Sequence, residues 1–226
     1  MPIASPVRLF HITAIGNLQA IFRAGALLSK NAGAAAGVAY QNIAHSGAQG
    51  ARSAKSLPLP PGGTVHDCVP FYFAPRSPML SAIHNGKVAG CKLPQQDIVH
   101  FETTVDRVTA AGEQFTFFDR NATLAYSKPY TDLAQLDAIS WNLLTEPPQL
   151  DGFCKYFHNR HQDERYVDRM ERRMAEFLVR DRVPLAQFTR VGVCNAEGAR
   201  QVSAMLLAEG VTLPVEVMPA WYFLGQ

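Results

Sequence analysis

Residues 56–80 read SLPLPPGGTVHDCVPFYFAPRSPML, and the six prolines spread through them decide much of what the chain can fold into. Proline lacks an amide hydrogen and clashes with the preceding helical turn, so no long helix can cross this stretch. Pro58, Pro60 and Pro61, with the paired Gly62 and Gly63, make its first part irregular. Val69 to Phe73 then has strand composition, and Pro70 and Pro75 predict an edge or bulged strand leading into a short helix from Met79 to His84. Alternate strand side chains face opposite ways, so Phe71 and Phe73 share one face and Tyr72 takes the other.

On either side the patterns are shorter and mixed. LFHITAIGNLQAIFRAGALLS reads as strand, turn and helix, with Leu18, Ile21 and Phe22 at helical spacing and Gly25 near the stop. Residues 31–54 are rich in Gly, Ala, Ser and Asn without periodicity, which predicts a long loop; such loops are uncommon in compact domains and often functional. DIVHFETTV (97–105) has the character of a central strand. A second strand is expected over 113–118, with a helix near Arg107 between the two. Tyr166, Met170 and Met174 stand at helical spacing, and the last third predicts strand 188–195, helix 197–210 and strand 215–223. Strands outnumber helices without βαβ alternation, so the expectation is an α+β fold with a mixed sheet. At 226 residues one domain spanning 1–226 is the economical reading.

Composition narrows the function. With 47% hydrophobic and 18% charged residues the chain belongs with folded proteins. Its apolar runs fall short of the ~20 residues that span a bilayer, and MPIASPVRLF lacks the regions of a signal peptide, so a cytoplasmic protein with no membrane partner is expected. Cys68, Cys91, Cys154 and Cys194 are scattered with no C-x-x-C pair, which predicts reduced thiols and no metal. A net charge of +2 leaves any polyanion site to local clusters of base. The phosphate-loop, dinucleotide, zinc-protease and serine-hydrolase motifs are all missing.

Four places hold chemistry that could matter. His11 and Thr13 share a strand face and could present donors together, although a histidine satisfied inside a sheet is the plainer reading. Arg52, beside Lys55 in the small-residue segment, could hold a phosphate or carboxylate; a solvated arginine is the commoner case. Tyr72 and Arg76 could form a stacking platform for a base or nicotinamide ring, and a packed strand with a structural turn stands level with it. Glu176, in MAEFLV, enters an apolar run. If this is a strand, Glu176 and Leu178 point one way and Phe177 and Val179 the other, and the carboxylate is either paired with an arginine or faces a cleft.

Taken together and in order, LFHITAIGNLQAIFRAG, LPLPPGGTVHDCVPFYFAPRSPML, FTFFDRNATL, RRMAEFLV and WYF resemble the DarT family across practically the whole chain. That family's toxin, paired with the DarG antitoxin, is an NAD-dependent ADP-ribosyltransferase acting on bases of single-stranded DNA. The resemblance implies an ADP-ribosyltransferase fold, a split and strongly twisted β-sandwich flanked by helices, with NAD in the cleft between the sheets. It implies that His11, Ile12 and Thr13 contact NAD, with Asn17, Ala20 and Leu28 nearby; Tyr72 and Arg76 join this cofactor-binding set. Residues 31–54 resemble the NAD-binding element, Arg52 the catalytic arginine, Glu176 the catalytic glutamate, and 118–176 the substrate-recognising region. There Arg120, Lys128, Lys155, Arg160 and Arg165 could track a backbone, and Tyr126, Tyr130 and Tyr156 could stack bases. An arginine stays protonated, so Arg52 is expected to act electrostatically on the diphosphate and on the anion developing on the base. The expected acceptor is thymine, with guanine next; RNA or protein acceptors, or a non-catalytic binder of NAD or nucleic acid, are the rivals. A monomer partnered by a DarG-like macrodomain antitoxin completes the expectation.

Overall fold

The computed structural model describes residues 3–224. Met1, Pro2, Gly225 and Gln226 lie outside the described residues, as do the extreme ends of the 1–226 domain expectation and the first residues read for a leader. In chain order the elements are β1 (Arg8–Ala14), α1 (Leu18–Ala24), β2 (Ala26–Leu28), α2 (Lys30–Ala35), α3 (Ser46–Ala54), β3 (Cys68–Tyr72), α4 (Pro78–His84), β4 (Ile98–Thr104), α5 (Val105–Thr109), β5 (Phe115–Phe118) and β6 (Pro129–Tyr130). They continue with α6 (Trp141–Leu144), β7 (Gln149–Leu150), β8 (Phe153–Cys154), α7 (Arg169–Arg172), β9 (Glu176–Arg180), β10 (Arg182–Pro184), β11 (Arg190–Val193), α8 (Ala196–Ala208) and β12 (Val215–Val217).

The main sheet runs β12-β11-β4-β1-β3-β9-β5-β6, parallel between β11 and β12 and antiparallel elsewhere. Its middle is its weakest join. β1 pairs with β4 along its whole length, from Arg8↔Thr104 to Ala14↔Ile98, but meets β3 only at Phe10↔Tyr72. The sheet is thereby split into two halves that part beyond that pair. Phe71, Phe73, Phe177 and Val179 enter the large core on one face, while Leu178 joins Leu57, Val65, Cys68, Phe118 and Ala122 in a small cluster on the other. The alternation expected for MAEFLV and for VPFYF holds.

Four expectations need correction. The strand containing Pro70 is interior, not an edge, with β9 on one side and β1 on the other. Proline is tolerated because its ladder-facing side looks toward β1 where pairing has run out: the Pro70 carbonyl accepts a hydrogen bond from His11 Nδ1 at 2.8 Å instead. Residues 31–54 are not one loop, since they carry most of α2 and all of α3. Ser29 caps the first, accepting from the Ala32 amide at 3.2 Å, and His45 Nδ1 caps the second, accepting from the Gly47 amide at 3.3 Å. Both helices are mostly solvent-facing, so neither required an apolar stripe that sequence could reveal. The helix expected around Tyr166–Met174 shrinks to α7 and a 3₁₀ turn at Glu164–Tyr166. Strand 215–223 stops at Val217, and Trp221, Tyr222 and Phe223 reach the core from a turn. Trp221 lies directly on the backbone of Gly192, where a Cβ would stand 2.0 Å from ring atom Cζ3.

Two histidines with lowered pKa values, the buried His100 and the half-buried His11, make the fold pH-sensitive. His100 is fully buried and its Nε2–H donates to the Pro75 carbonyl at 3.0 Å; burial lowers its pKa from 6.5 to about 4. His11 is lowered to about 4 for the same reason, aided by the nearby Arg52 charge and partly offset by the Pro70 hydrogen bond. Between pH 6.5 and 4 the unfolded chain takes up protons that the folded chain refuses, so stability falls as pH drops through this window. His100 alone accounts for roughly 3 kcal/mol of that loss. Thermal melts from pH 7 to pH 4 should show a steep fall, and His100→Gln, which keeps a donor but cannot titrate, should flatten it.

Candidate active site

A cleft of about 610 Å³ opens where the half-sheets part. β1 contributes His11, Ile12 and Thr13; β3 contributes Tyr72; β9 contributes Glu176; and α2, α3 and the segment joining them form the opposite wall. Glu176 is the first residue of β9, paired with Tyr72 on one side and Phe118 on the other, and is 1% exposed. Its Oε1 accepts from Arg52 Nη1 at 3.0 Å and from the Ala122 amide at 3.3 Å. Its Oε2 lies 2.8 Å from the same Arg52 nitrogen but has no hydrogen bond of its own among the described residues. Both readings of Glu176 are therefore realised at once: it is salt-bridged, and the bridge faces the cleft.

Arg52 reaches this position from the last turn of α3. Burial works against its charge, yet the Glu176 carboxylate holds its pKa above the ordinary arginine value. The guanidinium is a fixed cation. Burial, then Glu176, raises the pKa of Tyr72, so its phenol stays protonated; the hydroxyl points to Met79 Sδ at 3.7 Å. Cys68 also lines the cleft, but burial pushes its thiol up to about 12, which leaves it inert as a nucleophile.

Asn17 ties the helical wall to the sheet. Its Oδ1 accepts from the Gln41 amide at 2.6 Å, and its Nδ2 donates to the Gln41 carbonyl and to Thr13 Oγ1, each at 3.0 Å. One side chain thus satisfies both backbone groups of Gln41 and fixes the entry of the segment that leads to Arg52. Leu28 lines the cleft as expected. Ala20 does not: Ile21, one turn after Asn17, shares the cleft-facing side of α1 and Ala20 is rotated away from it. Arg76 does not either. It is 2% exposed with its guanidinium 4.5 Å from the Phe223 ring centroid, because the chain turns after Phe73 into the Ser77 cap of α4. The Tyr72–Arg76 platform is not formed.

In the recognition region several expected contacts are committed internally. Arg120 pairs with Asp119 and, at 2.8 Å, with Asp168; Arg165 pairs with Glu146 at 2.6 Å; Tyr130 stacks on Phe117 at 5.2 Å. Tyr126 and Tyr156 are exposed, as are Lys128 and Arg160, while Lys155 is half-buried with its ammonium over the Tyr156 ring. Sequence reasoning missed His66 and Asn121, which both line the cleft. Their signal was position: His66 stands two residues before the β3 strand that carries Tyr72, and Asn121 follows the strand paired with the start of β9. Among the described residues no group of three or more His, Cys, Asp or Glu is placed to hold a metal ion, and no helix is long and apolar enough to cross a membrane.

The family model for DarT, described as ssDNA thymidine ADP-ribosyltransferase, matches residues 10–223. A DNA ADP-ribosyl transferase of Thermus sp. (strain 2.9) is 31% identical over 225 residues, covering 96% of this chain and 97% of that protein. The structure of Thermus sp. 2.9 DarT in complex with ADP-ribosylated ssDNA matches with a TM-score of 0.86 at 30% identity over 99% of both chains. Thermus sp. 2.9 DarT in complex with NAD+ matches with a TM-score of 0.83 at 28% identity, over 98% of this chain and all of that one. The split mixed sheet is thus the expected α+β ADP-ribosyltransferase architecture, and the chain belongs to the DarT family.

Proposed function

We propose that this protein transfers ADP-ribose from NAD to thymine in single-stranded DNA, with release of nicotinamide, and that it acts as the toxin of a toxin–antitoxin pair. The observation that carries the reading is the Arg52–Glu176 pair, facing a cleft of about 610 Å³ with one carboxylate oxygen that has no hydrogen bond among the described residues. The cleft suits NAD. Its volume is that of a small-molecule site. Glu176 is the one carboxylate among its described lining residues, against Lys30, Arg52 and Lys87, so the field favours a diphosphate. Thermus DarT, with its NAD+ and ADP-ribosylated ssDNA complexes, supports both substrates.

Each side chain then has a part. Glu176, buried and unable to move far, places negative charge where the ribose becomes positive as its bond to nicotinamide breaks, and its free Oε2 accepts from a ribose hydroxyl. Arg52 offsets the diphosphate and the charge that builds on the attacking base. Because the ion pair strengthens Arg52's hold on its own proton, Arg52 is not the group that deprotonates the base while Glu176 is charged beside it. His11, its Nδ1–H fixed on Pro70, presents Nε2 as an acceptor for a hydroxyl. An unpaired strand is required because duplex pairing occupies the reacting edge of the base. Tyr126, Tyr156, Lys155 and Arg160 give that strand stacking faces and charge. A DarG-like macrodomain antitoxin, a monomeric state and a cytoplasmic location belong to the same proposal.

Incubation with NAD and oligonucleotides that each contain a single thymine, guanine, cytosine or adenine, followed by mass spectrometry, tests it. An ADP-ribose adduct confined to the thymine oligonucleotide is expected. Adducts appearing only on RNA or on protein, or none at all, would reject the reading. Asn17→Ala should raise KM for NAD about tenfold with a smaller change in kcat, because it frees the Gln41 segment at the loss of three modest hydrogen bonds. Steady-state nicotinamide release over a range of NAD concentrations measures this.

A further inference from the structure

Asn121 lines the cleft, and its neighbour Ala122 donates its amide to the catalytic carboxylate. The orientation of the Asn121 amide is fixed by its own bonds. Oδ1 accepts from the Thr123 amide at 2.9 Å and from Thr123 Oγ1 at 2.7 Å. A backbone N–H can only donate, so the atom facing it must be oxygen and the assignment cannot be reversed. The remaining Nδ2 carries two N–H donors with no partner among the described residues, on a half-buried side chain one residue from the Glu176 contact. Asn121 therefore turns donors, and no free acceptor, into the cleft one residue from the Glu176 contact.

We infer that Asn121 reads the target base by donating from Nδ2 to a ring carbonyl flanking the reacting nitrogen, which makes it a specificity-determining residue for an imide base. The inference rests on the DNA-modifying reading above and deepens it. A thymine ring nitrogen lies between two carbonyls, both acceptors. The corresponding guanine nitrogen lies between a carbonyl and an amino group, and cytosine replaces one carbonyl by an amino donor. An amide with its oxygen already committed meets an imide carbonyl in either orientation of the ring, whereas guanine and cytosine conflict with it, donor to donor, in the orientation that presents their amino group. The contact also strengthens as the reaction proceeds, because charge spreads onto the carbonyl oxygens as the imide nitrogen gives up its proton to water in the open cleft, while it bonds to the ribose carbon that nicotinamide leaves. Uracil carries the same two carbonyls, so Asn121 does not separate it from thymine.

The test is a cycle between residue and base. Oligonucleotides carrying thymine, 2-thiothymine or 4-thiothymine at one position are compared with wild type, Asn121→Asp and Asn121→Ser; sulfur is the poorer acceptor. Both variants keep an oxygen for Thr123 and so preserve the turn, and both lose the amide donor. Transfer to thymine should fall about 10- to 100-fold in each variant. One thio substitution should lower kcat/KM for the wild type and make no further difference in the variants. Thymine-over-guanine discrimination should narrow in the variants. If the variants lose transfer yet keep full sensitivity to both thio substitutions, or discriminate as the wild type does, Asn121 is not the reader. If wild type modifies no DNA base at all, the DNA reading itself fails, a result visible before any variant is made.

Discussion

Glu176→Gln is expected to lower transfer about a thousandfold while leaving the fold intact, since removing one preorganised electrostatic group at a developing charge costs two to three orders of magnitude in comparable sites. The amide matches the carboxylate in shape, so Ala122 keeps its acceptor and β9 keeps its register between β3 and β5. What disappears is the negative charge. On the proposed mechanism the ribose then loses its stabilising partner, and Arg52, 15% exposed at its side chain, loses its counter-ion. Truncating one member of a buried pair leaves the other charge uncompensated, but Arg52 opens onto the cleft and water relieves part of that strain, so the stability cost should be about 1–2 kcal/mol. The two readouts separate: quantitative mass spectrometry of modified oligonucleotide should collapse while the melting temperature moves by only a few degrees. A variant that retained a tenth of wild-type transfer would remove Glu176 from the chemistry.

The second large effect is on stability. Gly192→Ala places a methyl group 2.0 Å from Cζ3 and 2.4 Å from Cε3 of Trp221. Such a clash is minor where the neighbour can swing away. Here it cannot, because the indole Nε1–H donates to Asp151 Oδ2 at 2.8 Å, the ring packs edge-on to Phe10 at 5.1 Å, and the guanidinium groups of Arg8 and Arg190 lie over it at 5.7 and 5.6 Å. Either the ring leaves this cage or β11 shifts against β4 and β12. Overpacking of this kind costs about 3 kcal/mol, which chemical denaturation would read directly. Loss of soluble protein would also be in line with it; an unchanged denaturation midpoint would contradict it.

Period-two patterns were legible in the sequence wherever a strand had one apolar face. MAEFLV and VPFYF gave the right faces because alternation is local. The partner of Glu176 was not legible: Arg52 is 124 residues away, and only the strand order, with β9 against β3, brings α3 over it. α3 itself escaped because SGAQGARSA, mostly in solvent, needs no apolar repeat. Pro70 was misread as an edge signal for a related reason. Its missing ladder partner is a long-range event, supplied by a histidine from β1, which no window around Pro70 contains. The Arg76 expectation shows the opposite limit. The aromatic run followed by Pro75 and Arg76 placed a cation beside Tyr72, but whether that cation enters the cleft or packs under Phe223 depends on a turn that the run does not specify.

The join at Phe10↔Tyr72 bears on how a substrate is admitted. Along most strands, widening a gap means breaking a ladder of hydrogen bonds. Here the two half-sheets meet through one backbone pairing and the His11–Pro70 hydrogen bond, whereas the β1–β4 and β3–β9 ladders on either side are complete. A wider mouth would cost the His11–Pro70 contact and none of the ladder bonds within either half. The width of the mouth is thereby separated from the seating of Glu176, which β9 holds between β3 and β5 whatever the gap at the join.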